Sequence, residues 1–169
     1  MLIRLATLSD LPDIVRIYNT SIPGRQSTAD TEPVSVDDRL DWFSAHDPKR
    51  RPIWVLESQG KVAAWVSLQD FYHRPAYHET AEISVYVDPS THQRGYGRTL
   101  VEMALAEAPR LGIFNVLAFV FAHNAPSLKL FGLLGFQQWG YLPGVAEFEG
   151  THRDLVILGR PLERHTTSH

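Results

Sequence analysis

Residues 81–87 alternate: Ile83, Val85 and Val87 are apolar, while Glu82, Ser84 and Tyr86 carry polar groups. A period of two predicts a strand with one buried face. Further β-prone runs lie at residues 2–6, 53–57, 62–68, 116–122, 136–141 and 155–160. The turn SQGK joins the second and third strands into a predicted hairpin. Helical spacing appears first at Leu11, Ile14, Val15 and Tyr18. Ser9 or Thr7 would cap that helix, with Asp10 favourable in its first turn and Pro12 tolerated there. Residues 36–43 predict a second helix, with Leu40 and Phe43 on its apolar face. A third carries Leu100, Ala104 and Leu111, with Gly112 as its C-terminal cap and Pro109 shortening or kinking its last turn. Residues 126–134 predict a fourth, ended by Gly135.

Between the first two helices, SIPGRQSTADTEPVS (residues 21–35) is rich in turn formers and reads as a long loop, a kind that often carries function. Residues 70–78 are irregular and crowded with aromatic and basic groups. The order βααββ–β–α–β–α–β–β predicts a mixed α/β domain over residues 1–162, followed by a polar, frayed tail at 163–169.

Composition narrows the function. Apolar residues make up 44% of the 169 and charged residues 21%, as in a globular chain. The formal net charge of −3 offers no bulk attraction to nucleic acid, so no such partner is expected. With no cysteine, disulfides, thiolate metal sites and a Cys nucleophile are excluded. The N-terminus lacks a secretory apolar region, and no apolar run is long enough for a bilayer, so a cytoplasmic protein without a membrane partner is expected. His73 and His78 share one loop, but no H-x-x-x-H pattern accompanies them, so no metal is expected. Trp42, Trp54, Trp65 and Trp139 fall in element-like runs and are assigned to packing.

The stretch HQRGYGRTL, from His92, places Gly95 and Gly97 between Arg94 and Arg98, just before a helix. Glycines allow backbone amides to converge on an anion, and a helix N-terminus adds partial positive charge. The same stretch also suits a plain strand-to-helix turn, and its own residues do not decide. A Rossmann fingerprint would need glycine where Leu100 stands, and the Gly-Lys-Ser/Thr of a Walker loop is absent.

Context decides. VYVDP precedes the turn, and a strand, Asn124, Pro126, Ser127, a helix and Gly135-Phe136 follow it. In this arrangement the chain resembles the GCN5-related N-acetyltransferases, over about residues 2–162. IYN, TEP, FYHRPAYHETAEISVYVDP and THRDLVIL resemble the phosphinothricin and methionine-sulfone/sulfoximine acetyltransferase branch.

The resemblance implies that family's fold: a central mixed, mostly antiparallel sheet, splayed at its fourth and fifth strands and flanked by helices. It implies acetyl-CoA as co-substrate. The pantetheine arm would pair with Val85, Tyr86 and Val87 like an added strand. The pyrophosphate would lie on Gln93, Arg94, Gly95, Tyr96, Gly97 and Arg98. Asn124 would hydrogen-bond the arm, with Ser127 heading the next helix. Glu82 would be the general base, directly or through water, and Val85 or Tyr86 N–H groups would stabilise the oxyanion. Arg74 would hold an acceptor carboxylate within an aromatic wall of Phe71, Tyr72, His73 and Tyr77, in a closed pocket; Ser84 would also contact the acceptor.

Three positions depart from the family pattern. His92 stands where Gln or Arg is usual. Phe131 replaces a Tyr or His general acid. Ala29-Asp30 replaces an aromatic in the 26–32 loop, which implies a reshaped pocket. The expected activity is N-acetylation of a small amino-acid-like amine by a homodimer. A non-catalytic acyl-CoA-binding module and a protein or peptide acetyltransferase are the competing readings.

Overall fold

The structure, a computed structural model, describes residues 1–164. Among the described residues seven strands are present: β1 (Leu2–Leu5), β2 (Ile53–Ser58), β3 (Lys61–Asp70), β4 (Thr80–Val87), β5 (Asn115–Phe121), β6 (Gln137–Phe148) and β7 (Thr151–Pro161). Four helices accompany them: α1 (Leu11–Thr20), α2 (Leu40–Ser44), α3 (Tyr96–Glu107) and α4 (Ala125–Leu133). The strands form one open sheet in the order β1-β2-β3-β4-β5-β7-β6. Every neighbouring pair is antiparallel except β4–β5, which is parallel. This is the fold class the sequence implied.

The β3–β4 register sorts the two faces. Val66 opposite Val85 and Leu68 opposite Ile83 lie on one face, where Leu100, Val101 and Ala104 of α3 cover them. Trp65 opposite Tyr86, Ser67 opposite Ser84 and Gln69 opposite Glu82 lie on the other. There Ile14, Ile17 and Tyr18 of α1 pack beside Val55 and Trp65. A strand that alternates chemically thus feeds an apolar core on one side and a polar stripe on the other.

Several local expectations change. The first helix is preceded by a 3-10 turn, Leu8–Asp10, whose Asp10 carboxylate accepts from the Thr7 N–H at 2.8 Å; Thr7 is the capping position, and Ser9 lies inside the turn. The second helix is a 3-10 turn, Asp37–Arg39, followed by the short α2; Leu40 is exposed there rather than on an apolar face. Pro109 falls in a 3-10 turn that ends α3 at Glu107. β6 and β7 are much longer than their apolar runs, because cross-strand pairing carries residues such as the exposed Leu142 and the half-buried Ala146 across a bulge. Of the expected tail, Arg164 pairs with Glu79 and lies 4.3 Å from the Phe114 ring centroid; residues 165–169 lie outside the described residues.

Candidate active site

β4 and β5 stay paired for only three residue pairs, ending at Glu82 opposite Leu117. Beyond that point they splay. The cleft between them is lined by Ile83, Val85, Ala118, Val120, Asn124 and Phe131, among others.

Backbone direction alternates along a strand, so its polar groups face each neighbour in turn. The Asp88 N–H donates to Ala63 at the end of β3, at 2.8 Å, whereas the Glu79 carbonyl accepts from Phe114 on the β5 side, at 2.9 Å. By alternation, Tyr86, Ser84 and Glu82 present their backbone groups to β3. Ile83 presents its own to β5 at the last β4–β5 pair, and Val85 and Val87 present theirs to the splay beyond it. Tyr86 is therefore not the cleft donor: the N–H groups that remain are those of Val85 and Val87. Such an edge suits an extended chain bearing amides.

At the far end of β4, Asp88 accepts from the Ser90 N–H at 3.0 Å and from Arg16 at 2.9 Å. The Arg16 guanidinium helps hold the Asp88 carboxyl down at about 2. A depressed carboxyl contributes its full stabilisation above its unfolded value and loses it as pH falls toward the folded value. Asp88→Asn is expected to cost about 1–3 kcal/mol, discounted for the part-exposed Arg16, and to lower Tm by roughly 3–10 °C at neutral pH. Thermal melts would read this directly, and the difference from wild type should narrow below pH 4, in the range where Asp88 protonates in the unfolded chain.

The glycine turn follows. Gln93 and Gly95 both have positive φ, 70° and 74°. The left-handed position suits glycine at residue 95, and a Cβ built there would meet nothing within 4 Å. At Gly97 a Cβ would come within 3.4 Å of Val87 Cγ2, so this glycine lets α3 lie close on β4. Gly95 precedes α3 without a side-chain cap, leaving the first-turn amides free to meet an anion. Arg94 is exposed. Arg98 is engaged at 2.8 Å with Glu102 on the outer face of α3. The Tyr96 hydroxyl donates to Ser58 at 2.9 Å, so its side chain belongs to the packing of α3 on β2, and its backbone alone faces the turn. His92 is a solvated loop residue.

Asn124 lies at the cleft, but its side chain is already committed. Oδ1 accepts from the Ser127 N–H at 3.2 Å, capping α4, and Nδ2 donates to the Gln26 carbonyl at 3.1 Å. Ser127 thus enters through its backbone as the capped partner. Neighbouring carbonyls are tied in the same way: Arg25 accepts from His123 at 2.8 Å and Ser27 from the Tyr86 hydroxyl at 3.1 Å. The 26–32 loop is thereby strapped across the splay. Phe131 is buried against Phe136, ring centroids 5.0 Å apart, and offers no proton.

Glu82 is half-buried. Burial pushes its carboxyl above the usual range, and the Gln69 amide donating at 2.8 Å pulls the other way. No cation pairs with it among the described residues, Arg74 included. A carboxylate in this state can take a proton from an ammonium near neutral pH.

Phe71, Tyr72 and Tyr77 cluster as expected, with centroids 5.4–6.2 Å apart, and Arg74 lies 6.0 Å from the Tyr72 ring. The cluster does not form a closed pocket. Phe71, His73, Arg74 and Tyr77 line an open hollow with Arg50, Asp70 and His78, while Tyr72 is outside that lining and 66% exposed. The loop has positive φ at Tyr72 and His73, and the buried Arg51 holds both of its ends through Asp70 (2.8 Å) and the His78 carbonyl (2.7 Å).

The better enclosed cavity, about 160 Å³, lies on the Glu82 face of the sheet. Tyr18, Arg39, Trp42, Trp65, Ser67 and Ser84 line it, with Gln69 and Tyr86. Ser84 joins it to the cleft, bordering both. Trp42 and Trp65 pack edge to face at 5.5 Å, as assigned, and also form its wall. Arg39 stacks 4.7 Å from the Tyr18 ring centroid and pairs with Asp30 at 3.1 Å. Sequence reasoning missed Arg39 and Ser67: the first reads as a surface helix charge, the second as one polar residue in an apolar strand.

An acetyl-CoA site fits this framework on three counts: an unpaired strand edge, free amides at the α3 N-terminus, and a glycine at the left-handed position between them. No metal-holding group of three or more His, Asp or Glu side chains occurs among the described residues, nor is any helix there long and apolar enough to cross a membrane.

The acetyltransferase (GNAT) family model matches residues 11–136, and the chain belongs to that family of N-acetyltransferases. Its relatives are more particular. YwnH of Bacillus subtilis, provisionally named a phosphinothricin acetyltransferase, is 52% identical over 163 residues, covering 96% of this chain and 99% of YwnH. The L-methionine sulfoximine/L-methionine sulfone acetyltransferase of Salmonella typhimurium is 32% identical, covering 98% of this chain and 96% of its own. A phosphinothricin acetyltransferase of Sinorhizobium meliloti, solved in complex with acetyl-CoA, superposes with a TM-score of 0.90 at 26% identity, covering 99% of this chain and 91% of its own.

Proposed function

We propose that residues 1–162 form one acetyltransferase unit that moves the acetyl group of acetyl-CoA to the α-amine of a small amino acid or analogue, of the phosphinothricin, methionine sulfone or methionine sulfoximine type. The observation that carries this reading is the half-buried, cation-free Glu82 at the point where β4 and β5 part. It lies on the strand that offers an edge suited to a pantetheine arm, and on the same sheet face as a half-open cavity of about 160 Å³. When bound, acetyl-CoA supplies an acetyl thioester open to attack by an amine. The first-turn amides of α3 hold the pyrophosphate, and Val85 and Val87 hold the arm. Glu82 takes the ammonium proton, directly or through water, and the Val85 N–H stabilises negative charge on the acetyl oxygen. As the new C–N bond forms, the C–S bond breaks and a thiolate leaves; its thiol pKa of roughly 8.5 makes an acid at residue 131 dispensable. Arg74 is the candidate partner of the acceptor carboxylate.

Exposed Trp139, Tyr141, Leu142 and Val145 on β6 support a homodimer, and a cytoplasmic setting accompanies the same reading. A thiol-release screen with acetyl-CoA tests the acceptor. Methionine sulfone, methionine sulfoximine and phosphinothricin should be turned over at least about tenfold more efficiently than polyamines or short peptides. Preference for peptides would move the chain to protein or peptide acetylation, and thermal stabilisation by acetyl-CoA without turnover would make it a binding module.

A further inference from the structure

Ser67 is 1% exposed, and its Oγ has no hydrogen-bond partner among the described residues. A buried hydroxyl left in this state is destabilising, because it has lost its water partners without gaining others. It lies on the wall of the cavity joined to the cleft, directly opposite Ser84 and on the same face as Glu82. Several other polar tips around that cavity have partners, and Ser67 Oγ is the fully buried one in the lining without any among the described residues. The Tyr18 hydroxyl is held by Thr28 at 2.6 Å, the Tyr86 hydroxyl by the Ser27 carbonyl, and the Gln69 amide by Glu82. Tyr18, Trp42, Trp65 and Tyr86 therefore bring mainly rings to the wall, with the Arg39 guanidinium as the one cation in the lining.

We propose that this cavity receives the acceptor's side chain, and that the Ser67 hydroxyl selects acceptors whose side chain ends in a hydrogen-bond-accepting oxygen. The proposal rests on the amino-acid acceptor read above and adds where its side chain lies. With the amine at Glu82, a side chain passing Ser84 reaches Ser67 between aromatic walls. An oxygen bound to sulfur or phosphorus accepts from the hydroxyl. A thioether of the same length leaves the hydroxyl unpaired, and an ammonium meets the charge of Arg39. Sites built around a buried polar group discriminate in this way, because the analogue that lacks the oxygen leaves that group unsatisfied. The test compares methionine sulfone with methionine, which share a carbon chain and differ in the sulfone oxygens.

Steady-state kcat/KM is measured for both acceptors in the wild type and in Ser67→Ala, with KM for acetyl-CoA and a thermal melt as controls. Ser67→Ala is expected to lower kcat/KM for the sulfone about tenfold and to leave that for methionine within about twofold. KM for acetyl-CoA should not change, and Tm should hold or rise, since an unsatisfied hydroxyl has been removed. An equal loss on both acceptors, or no loss on the sulfone, overturns the pocket assignment while leaving the acetyltransferase reading intact. Failure of the wild type to acetylate any amino acid overturns both.

Discussion

Gly95→Asp is expected to raise the dissociation constant for acetyl-CoA by at least about a hundredfold while leaving the protein folded. The left-handed backbone costs a non-glycine residue roughly 1–2 kcal/mol, and Asp is among those that bear it best. The built Cβ meets no protein atom within 4 Å, so the side chain projects into open space beside the first turn of α3. A pyrophosphate held by those amides would meet it there. Two like charges about 4 Å apart near a protein surface repel by roughly 4 kcal/mol, more than the ~2.7 kcal/mol of a hundredfold change. Gly95→Ala separates strain from charge and should weaken binding by less than about tenfold. His92→Gln should change little, because His92 is solvated and the amides bind the anion. Calorimetric titration with CoA reads all three, and a Gly95→Asp constant within about threefold of wild type would remove the turn from the site.

Glu82→Gln is expected to lower kcat by about 10²–10⁴-fold with KM for acetyl-CoA unchanged. Gln keeps the shape and can still meet Gln69, but it cannot take a proton. The pH profile carries the sharper signature. Wild-type kcat/KM should rise with pH as Glu82 deprotonates, and burial places that limb above the usual carboxylate range. The variant should lose this limb.

The sequence made the chemistry of β4 legible because one short strand carries it. Alternation over residues 81–87 alone put Glu82, Ser84 and Tyr86 on one face, and the glycines located a turn at a helix start, which only the surrounding motifs pointed to as an anion cradle. The acceptor side was less legible because it is assembled from distant parts. Ser67 is conspicuous only once burial shows its hydroxyl to be unpaired. Arg39 meets at the cavity the Tyr18 ring of the first helix and Asp30 of the long loop, partners from other parts of the chain. The family resemblance makes Asn124 a cofactor-binding candidate; its amide also ties down Gln26, a partner 98 residues earlier that no local pattern reveals. The aromatic loop was read as closed. Its rings do cluster, but they border an open hollow and leave Tyr72 66% exposed, which the run of aromatic residues does not reveal. The length of β6 was hidden because most of its residues are exposed and Pro143-Gly144 mimics a turn.

The most direct measurement follows formation of the N-acetyl product by mass, with acetyl-CoA and methionine sulfone, in wild type and Glu82→Gln side by side. Wild type should form one product per CoA released, only when the amine is present, and the variant should bind acetyl-CoA equally well yet turn over at least about a hundredfold more slowly. Equal rates in the two proteins, or CoA release that does not depend on the amine, would contradict the assignment of Glu82 and of this face of the sheet to amine acetylation.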